Sequence, residues 1–196
     1  MMGTASELAR YRLSAADSNF TAQAFAEGLF SAFGHDPVIG IKDFSGEAKF
    51  VPSTFESASL ELTINAASLL VVDKVKPKDR DELERAMWND VLEVSKFPEI
   101  VFKSTNVTLS RIAEGRYRAR VIGDLTLHGV TQSNLWISGE VLVGDGELKA
   151  KGEFPIRQTD YKIKPVSVAG GTLKVKNEVK CTFDIVARRD PGIDQT

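Results

Sequence analysis

The feature that most constrains the fold is a strict alternation of polar and apolar residues along most of the chain. It is clearest from Gly146 to Ile156, where charged residues alternate with apolar or small ones. The same period of two runs through Phe44–Phe50, Ser57–Ile64, Arg116–Thr126, Leu135–Val143 and Leu173–Arg188. Successive side chains of a β-strand point to opposite faces, so the pattern predicts seven or eight strands, each with one buried face.

Burial of one face per strand favours an antiparallel sheet that closes on itself, as a barrel or a tightly closed sandwich. A parallel α/β sheet would show continuous apolar strands, each followed by a helix, and this chain shows neither. Gly144-Asp145-Gly146 is typical of a hairpin connection. A length of 196 residues fits one domain, which we place at residues 10–188, with flexible segments at 1–9 and 189–196.

One segment has helical periodicity instead. From Lys78 to Val91, apolar residues recur every four positions, acidic residues crowd the first turn, and Pro77 precedes it. We expect an amphipathic helix here, which ends before Phe97-Pro98 because proline disfavours helix in the residue before it. A second, shorter helix is expected from Ala26 to Phe33.

Composition excludes several classes of protein. The net charge of −2 gives no broad attraction to nucleic acid or to anionic lipid. The one cysteine, Cys181, excludes an internal disulfide, and its apolar phase predicts a core residue rather than a reactive thiol. No signal-peptide core or membrane span is present, so we expect a cytoplasmic protein, or a periplasmic one if a leader has been removed.

Small residues occupy many of the positions that should face the interior. They are Gly46, Ala48, Ala58, Ala119, Gly123, Gly139, Ala150 and Gly152. If each stands where a leucine could, together they remove roughly 25 heavy atoms from a barrel interior, which would leave room for a long apolar ligand. The alternative is that the glycines mark bulges or the sharp coiling of the strands.

Four stretches resemble the YceI family of lipocalin-like domains associated with polyisoprenoid binding. In chain order they are Phe44–Phe50 (FSGEAKF), Phe97–Thr105 (FPEIVFKST), Gly123–Thr131 (GDLTLHGVT) and Phe154–Tyr161 (FPIRQTDY). The resemblance covers about residues 10 to 188.

The resemblance implies an all-β fold: an extended eight-stranded antiparallel barrel around a long apolar pocket, with the inserted helix near one end. It also implies a carrier or reservoir for isoprenoids, isoprenoid quinones or similar lipids. Two departures from the family stand out. Many members are exported, whereas no leader is seen here, and the family's usual Phe-Gly after the Arg-x-x-Asp segment is replaced by Tyr161-Lys162.

The residues that we expect to contact the apolar ligand lie in the inward phase of the strands, on the helix or near the mouth. They are Phe20, His35, Ala48, Phe50, Ala58, Leu60, Leu62, Met87, Trp88, Phe97, Tyr117, Ala119, Val121, Leu135, Ile137, Leu148, Ala150, Phe154, Arg157, Val179, Cys181 and Phe183.

Two of these residues could bind a polar head group. His35 can donate to or accept from a quinone oxygen, and Arg157 can grip a phosphate. Each has a structural alternative: a loop hydrogen bond to Asp36 for His35, and a solvated strand end or a pair with Asp160 for Arg157.

Other candidates have simpler explanations. His128 should stabilise a turn. Met87 and Trp88 could cover the pocket mouth or pack ordinarily against the barrel. The basic strand face of Arg111, Arg116, Arg118 and Arg120 should be solvated, because the one aromatic residue among them, Tyr117, points to the other face.

No motif of nucleophilic, phosphate-binding, dinucleotide-binding or zinc chemistry is present. We therefore expect a binding protein rather than an enzyme, with no cofactor apart from a copurified isoprenoid or fatty lipid. The alternatives are a stress-related scaffold or an enzyme that acts on prenyl-type substrates. Exposed barrel edges could pair into a homodimer.

Overall fold

The computed structural model describes residues 8–27, 36–144, 146–168 and 173–191. Twelve elements follow one another along the chain: β1 (Ala9–Glu27), β2 (Val38–Ile41), β3 (Phe44–Phe50), β4 (Ser59–Asn65), β5 (Leu69–Val71), α1 (Pro77–Ala86), β6 (Glu99–Ala113), β7 (Arg116–Leu127), β8 (Val130–Val143), β9 (Glu147–Arg157), β10 (Ser167–Val168) and β11 (Leu173–Arg189). Short 3₁₀ turns lie at Ala66–Ser68 and Gln158–Tyr161.

Eight antiparallel strands close into a barrel, as predicted. The order around it is β1-β3-β4-β6-β7-β8-β9-β11, and β11 pairs with β1 to complete the circle. Three short strands extend this sheet: β2 and β5 continue it beside the second half of β1, and β10 adds to β11. β1 and β11 reach Ala9 and Arg189, one residue beyond each predicted limit of the domain.

The predicted helix is present as α1, which continues into a π-helical turn over Met87–Val91. Met87 and Val91 pack on the barrel core, whereas Leu83, part of the same predicted stripe, is exposed. The expected second helix is wrong at its start, because Ala26 and Glu27 belong to β1. Residues 28–33 lie outside the described ranges.

The barrel has two different ends. At the helix end, Leu92, Tyr161 and Ile163 are buried in the larger core cluster. At the opposite end, called the loop end here, the 51–58 loop, the β6–β7 turn and the β8–β9 turn come together. A second cluster fills this end, with Tyr11 stacked on Phe50 at 5.1 Å between ring centroids.

The wall of the barrel is interrupted between β4 and β6. Their pairing runs from Asn65 opposite Glu99 to Glu61 opposite Lys103, and Leu60 N–H then donates to Ser104 Oγ at 2.8 Å. Beyond Ser104, β6 is paired with β7 alone in the described structure. We call this gap between the start of β4 and the second half of β6 the seam.

Candidate functional site

An apolar cavity of about 180 Å³ lies inside the barrel. Each of the eight closing strands contributes to its lining, which is apolar except for three residues near the loop end, Lys49, Ser59 and Glu140. An engineered apolar cavity of about 150 Å³ stays dry and accommodates one benzene ring. This interior can therefore hold part of a hydrocarbon chain, but in this shape not a whole long one.

Four alanines account for much of this space. Ala48, Ala58, Ala119 and Ala150 all line the cavity. Replacing four leucines by alanines removes about 12 heavy atoms, or roughly two isoprene units, and this agrees better with the observed volume than the predicted 25 atoms.

The glycines instead allow strands and aromatic rings to pack closely. A Cβ on Gly152 would lie 2.5 Å from Ser138 O and 2.7 Å from Phe183 Cζ, and one on Gly123 would lie 2.4 Å from Lys103 O. At Gly139 the nearest atom would be Lys151 O, at 2.6 Å. Backbone and aromatic rings thus crowd the positions that side chains would take at these glycines, so counting four heavy atoms of cavity at each was wrong, although Gly139 itself borders the cavity.

Aromatic rings close the cavity at the loop end. Phe55, on the 51–58 loop, lies 5.4 Å from Phe50 and 4.5 Å from Tyr117, measured between ring centroids. Phe55 has a φ of 58°, a conformation that bulky residues rarely adopt. These contacts join the loop before β4 to β7 across the end of the barrel.

Fourteen of the predicted contact residues line the cavity. They are Phe20, Ala48, Phe50, Ala58, Leu60, Leu62, Ala119, Val121, Leu135, Ile137, Leu148, Ala150, Phe154 and Phe183. Their contact with a ligand stays a prediction, but the structure brings all of them to one space.

Seven other predicted contact residues, all within the described ranges, do not line it. Met87 packs on the core from outside, and Trp88 Nε1–H donates to Leu69 O at 2.9 Å, so both perform ordinary helix packing. Phe97 packs on His128, and Tyr117 packs under Phe55.

On the last strands, Val179 and Cys181 pair with β9 without reaching the cavity. Arg157 is an exposed residue at the helix end of β9, far along the strand from the polar rim at the loop end. His35 lies outside the described residues.

Fourteen lining residues were missed, and four of them lie on β6: Ile100, Phe102, Val107 and Leu109. Phe102 faces the cavity at an even-numbered position, whereas further along the same strand Val107 and Leu109 face it at odd-numbered positions. A bulge between Ser104 and Asn106 shifts the phase of the strand by one residue. These residues are apolar, which indicates burial, but a strict period of two along β6 does not place Phe102 on the same face as Val107 and Leu109.

His128 has the structural role expected of it. His128 and Gly129 form the two-residue turn between β7 and β8, both with positive φ, as a type I′ hairpin turn requires. The ring nitrogens hydrogen-bond Tyr161 O at 3.2 Å and Glu93 Oε2 at 2.9 Å, which ties the turn to two neighbouring segments.

Titratable groups with shifted pKa values lie outside the cavity. Burial raises the pKa of Cys181 and of Tyr161 to about 12, so both are neutral core residues near neutral pH. Surface partners lower the pKa of Asp17, Glu47 and Glu93. Across the described ranges, no three His, Cys, Asp or Glu residues come together as metal ligands would. The lining, which is almost entirely apolar, can therefore sequester an apolar group.

None of the helices in these ranges is both long and apolar enough to cross a bilayer.

Comparison with known proteins points to one family. The model of the YceI-like domain matches residues 11–187. A UPF0312 protein of Pseudomonas fluorescens is 33% identical over 111 residues, an alignment that covers 56% of this chain and 53% of that protein. The chain thus spans about half the length of such relatives.

Solved structures share the fold at low sequence identity. BcnA of Burkholderia cenocepacia has a TM-score of 0.65 at 20% identity, covering 89% of this chain and 98% of its own. A polyisoprenoid binding domain of Saccharophagus degradans, implicated in plant cell wall breakdown, has a TM-score of 0.66 at 15% identity, covering 94% of this chain and all of its own.

Proposed function

Because the chain belongs to the family of YceI-like domains, we propose that it carries or stores an apolar ligand with an isoprenoid-type tail inside its barrel. The single observation that supports this most is the apolar cavity lined by four alanines in the barrel interior. Side chains that border an empty cavity lack van der Waals partners on that side and lose dispersion energy. A bound hydrocarbon supplies those contacts. The solved polyisoprenoid binding domain of similar fold is consistent with such a guest.

The cavity volume limits how much of the ligand is enclosed. About two isoprene units fit the present shape, so a longer chain either widens the barrel or leaves its head outside. Three polar residues border the cavity towards the loop end, Lys49, Ser59 and Glu140; Lys49 and Glu140 lie in the outward phase of their strands, in ion pairs with Glu47 and Arg116. We place the head group there, which moves it away from Arg157 at the opposite end of β9.

A binding role without turnover accounts for the chemistry of the lining. Catalysis on a prenyl ester or diphosphate needs a positioned acid, base or metal at the reacting atoms. The polar residues at the rim are few, and Glu140 is already paired with Arg116 at 2.6 Å.

The first test is organic extraction of the purified protein followed by mass spectrometry. A lipid recovered in near-stoichiometric amount supports the carrier. Extracts free of lipid, together with no binding of added prenyl alcohols, would favour the scaffold, and turnover of a prenyl diphosphate would favour an enzyme.

A chain-length series then tests the enclosed length. Burial of one further isoprene unit tightens binding by about 3 kcal/mol, or roughly 100-fold in Kd. Calorimetry with geraniol, farnesol and geranylgeraniol should show a steep gain that stops once added carbons remain outside. A gain that continues to the longest alcohol would show that the barrel widens, and equal affinity for all three would contradict binding in the cavity.

A further inference from the structure

We propose that the outer face of β7, β8 and β9 docks on membranes that contain anionic lipids. The docking face, as we name it, consists of Arg116, Arg118, Arg120, Trp136, Leu142, Lys149 and Lys151. Delivery of a lipid to the cavity rests on the proposed function, but docking itself does not require it.

Trp136 is the most exposed large apolar side chain of the described residues. It is 57% exposed, and the Arg120 guanidinium lies over its ring at 5.4 Å from the centroid. Leu142, on the same face of β8, is 44% exposed. Tryptophan beside basic residues is typical of the interface between a membrane and water, where the ring has an apolar side and a polar N–H.

The docking face is positively charged on a chain of net charge −2. Glu140 forms an ion pair with Arg116, and Glu147 forms one with Lys149. The remaining basic residues, Arg118, Arg120 and Lys151, form no salt bridge among the described residues, and Glu140, which lies opposite Arg118 and Lys151, is paired with Arg116. This local excess complements a surface of anionic head groups.

The docking face adjoins the seam. In the β6–β7 register, Thr108 lies opposite Arg120 and Ser110 opposite Arg118. Between them on β6, Leu109 faces inward and lines the cavity. A lipid that passes between β4 and β6 would therefore cross the barrel wall beside the docked surface.

Aliphatic surface favours a membrane over single-stranded nucleic acid as the partner. Nucleic-acid grooves combine basic residues with several aromatic rings on which successive bases stack. Here Trp136 is accompanied by Leu142 and by the half-buried Ile122, whose side chains suit the acyl boundary of a bilayer.

Vesicle flotation tests docking directly. The whole protein should bind vesicles of phosphatidylcholine mixed with phosphatidylglycerol and bind pure phosphatidylcholine much less. Each basic residue near an anionic surface tightens binding about fivefold, so Arg118→Gln with Arg120→Gln should weaken it roughly 25-fold.

Matched controls lie on α1, at the other end of the barrel. Lys78→Gln with Arg85→Gln removes the same charge and should leave vesicle binding unchanged. Leu142→Ser should weaken it, whereas Leu83→Ser should not, although the two leucines are similarly exposed at 44% and 42%.

Equal binding to both vesicle types, or equal losses in the docking-face and α1 variants, would overturn the proposal. So would binding of a labelled oligonucleotide that these variants abolish, with no binding to vesicles. Farnesol binding in solution should be unchanged in the docking-face variants, which lie outside the cavity. If the protein binds vesicles but not farnesol, docking stands and the carrier function falls.

Discussion

Replacing Ala150 with phenylalanine tests whether the barrel interior is available to a ligand. Ala150 lies in the middle of β9, opposite Val141 and Ile185, and lines the cavity. Since about 150 Å³ accommodates a benzene ring, one added phenyl group fills most of the 180 Å³. Farnesol should then bind at least 100-fold more weakly, because the space for more than one isoprene unit is lost.

The same substitution should not destabilise the protein. Filling a cavity recovers about 24 cal/mol per Å³, so a phenyl group that fills most of the 180 Å³ could raise the free energy of unfolding by up to about 4 kcal/mol. Ala187 provides the control: it is fully buried on β11, opposite Leu13, and does not line the cavity. Ala187→Phe should cost about 1–3 kcal/mol by overpacking.

Urea unfolding and calorimetry with farnesol measure the two effects. The reasoning is refuted if Ala150→Phe loses as much stability as Ala187→Phe, because the site would then be packed by its own side chains. Unchanged farnesol affinity in a folded Ala150→Phe protein would equally refute it, by removing Ala150 from the ligand site.

Three further predictions concern groups outside the cavity. Lys162 is exposed and ends a 3₁₀ turn with a φ of 59°, so Lys162→Gly should raise the free energy of unfolding by about 0.5–1 kcal/mol; a loss on urea titration would contradict this. Hydrogen bonds from Lys96 and then His128 lower the pKa of Glu93 from 4.5. That carboxylate stabilises the fold above this pH and less below it, so the Tm gap between the wild type and Glu93→Gln should narrow as the solution is acidified, and a constant gap would disprove the linkage. Buried Cys181, whose thiol pKa is raised to about 12, should react with Ellman's reagent far more slowly in the native than in the urea-unfolded protein, and equal rates would show an open core.

The strands were predictable because they bury one face each. Leu173–Arg189 alternates through most of its length and is one strand, and the helix near Lys78 has its start fixed by Pro77. β1 was harder to recognise, because its pairing with β11 is irregular between Ser14 and Asn19. Ser18 Oγ accepts a hydrogen bond from Val186 N–H there, a compensation that only the folded pair reveals.

The cavity lining was predictable for apolar residues that lie in the inward phase of a regularly alternating strand. Ala48, Ala119 and Ala150 follow from the phase of their strands alone. The glycines could not be interpreted in this way, since a missing side chain can mean either empty space or a neighbour that fills it, as Phe183 does beside Gly152. Exposed Trp136 was also missed, because its contact with Arg120 depends on the register of the β7–β8 hairpin, which alternation alone does not give.

The central claim is that an apolar guest lies among the cavity alanines. The most direct measurement is an NMR experiment on protein labelled with ¹³C at its alanine methyl groups and mixed with farnesol. Intermolecular NOEs should connect the prenyl chain to Ala48, Ala119 and Ala150 and leave Ala9 and Ala187 without any. NOEs to none of the cavity methyl groups, with farnesol bound, would place the ligand outside the barrel and contradict the account.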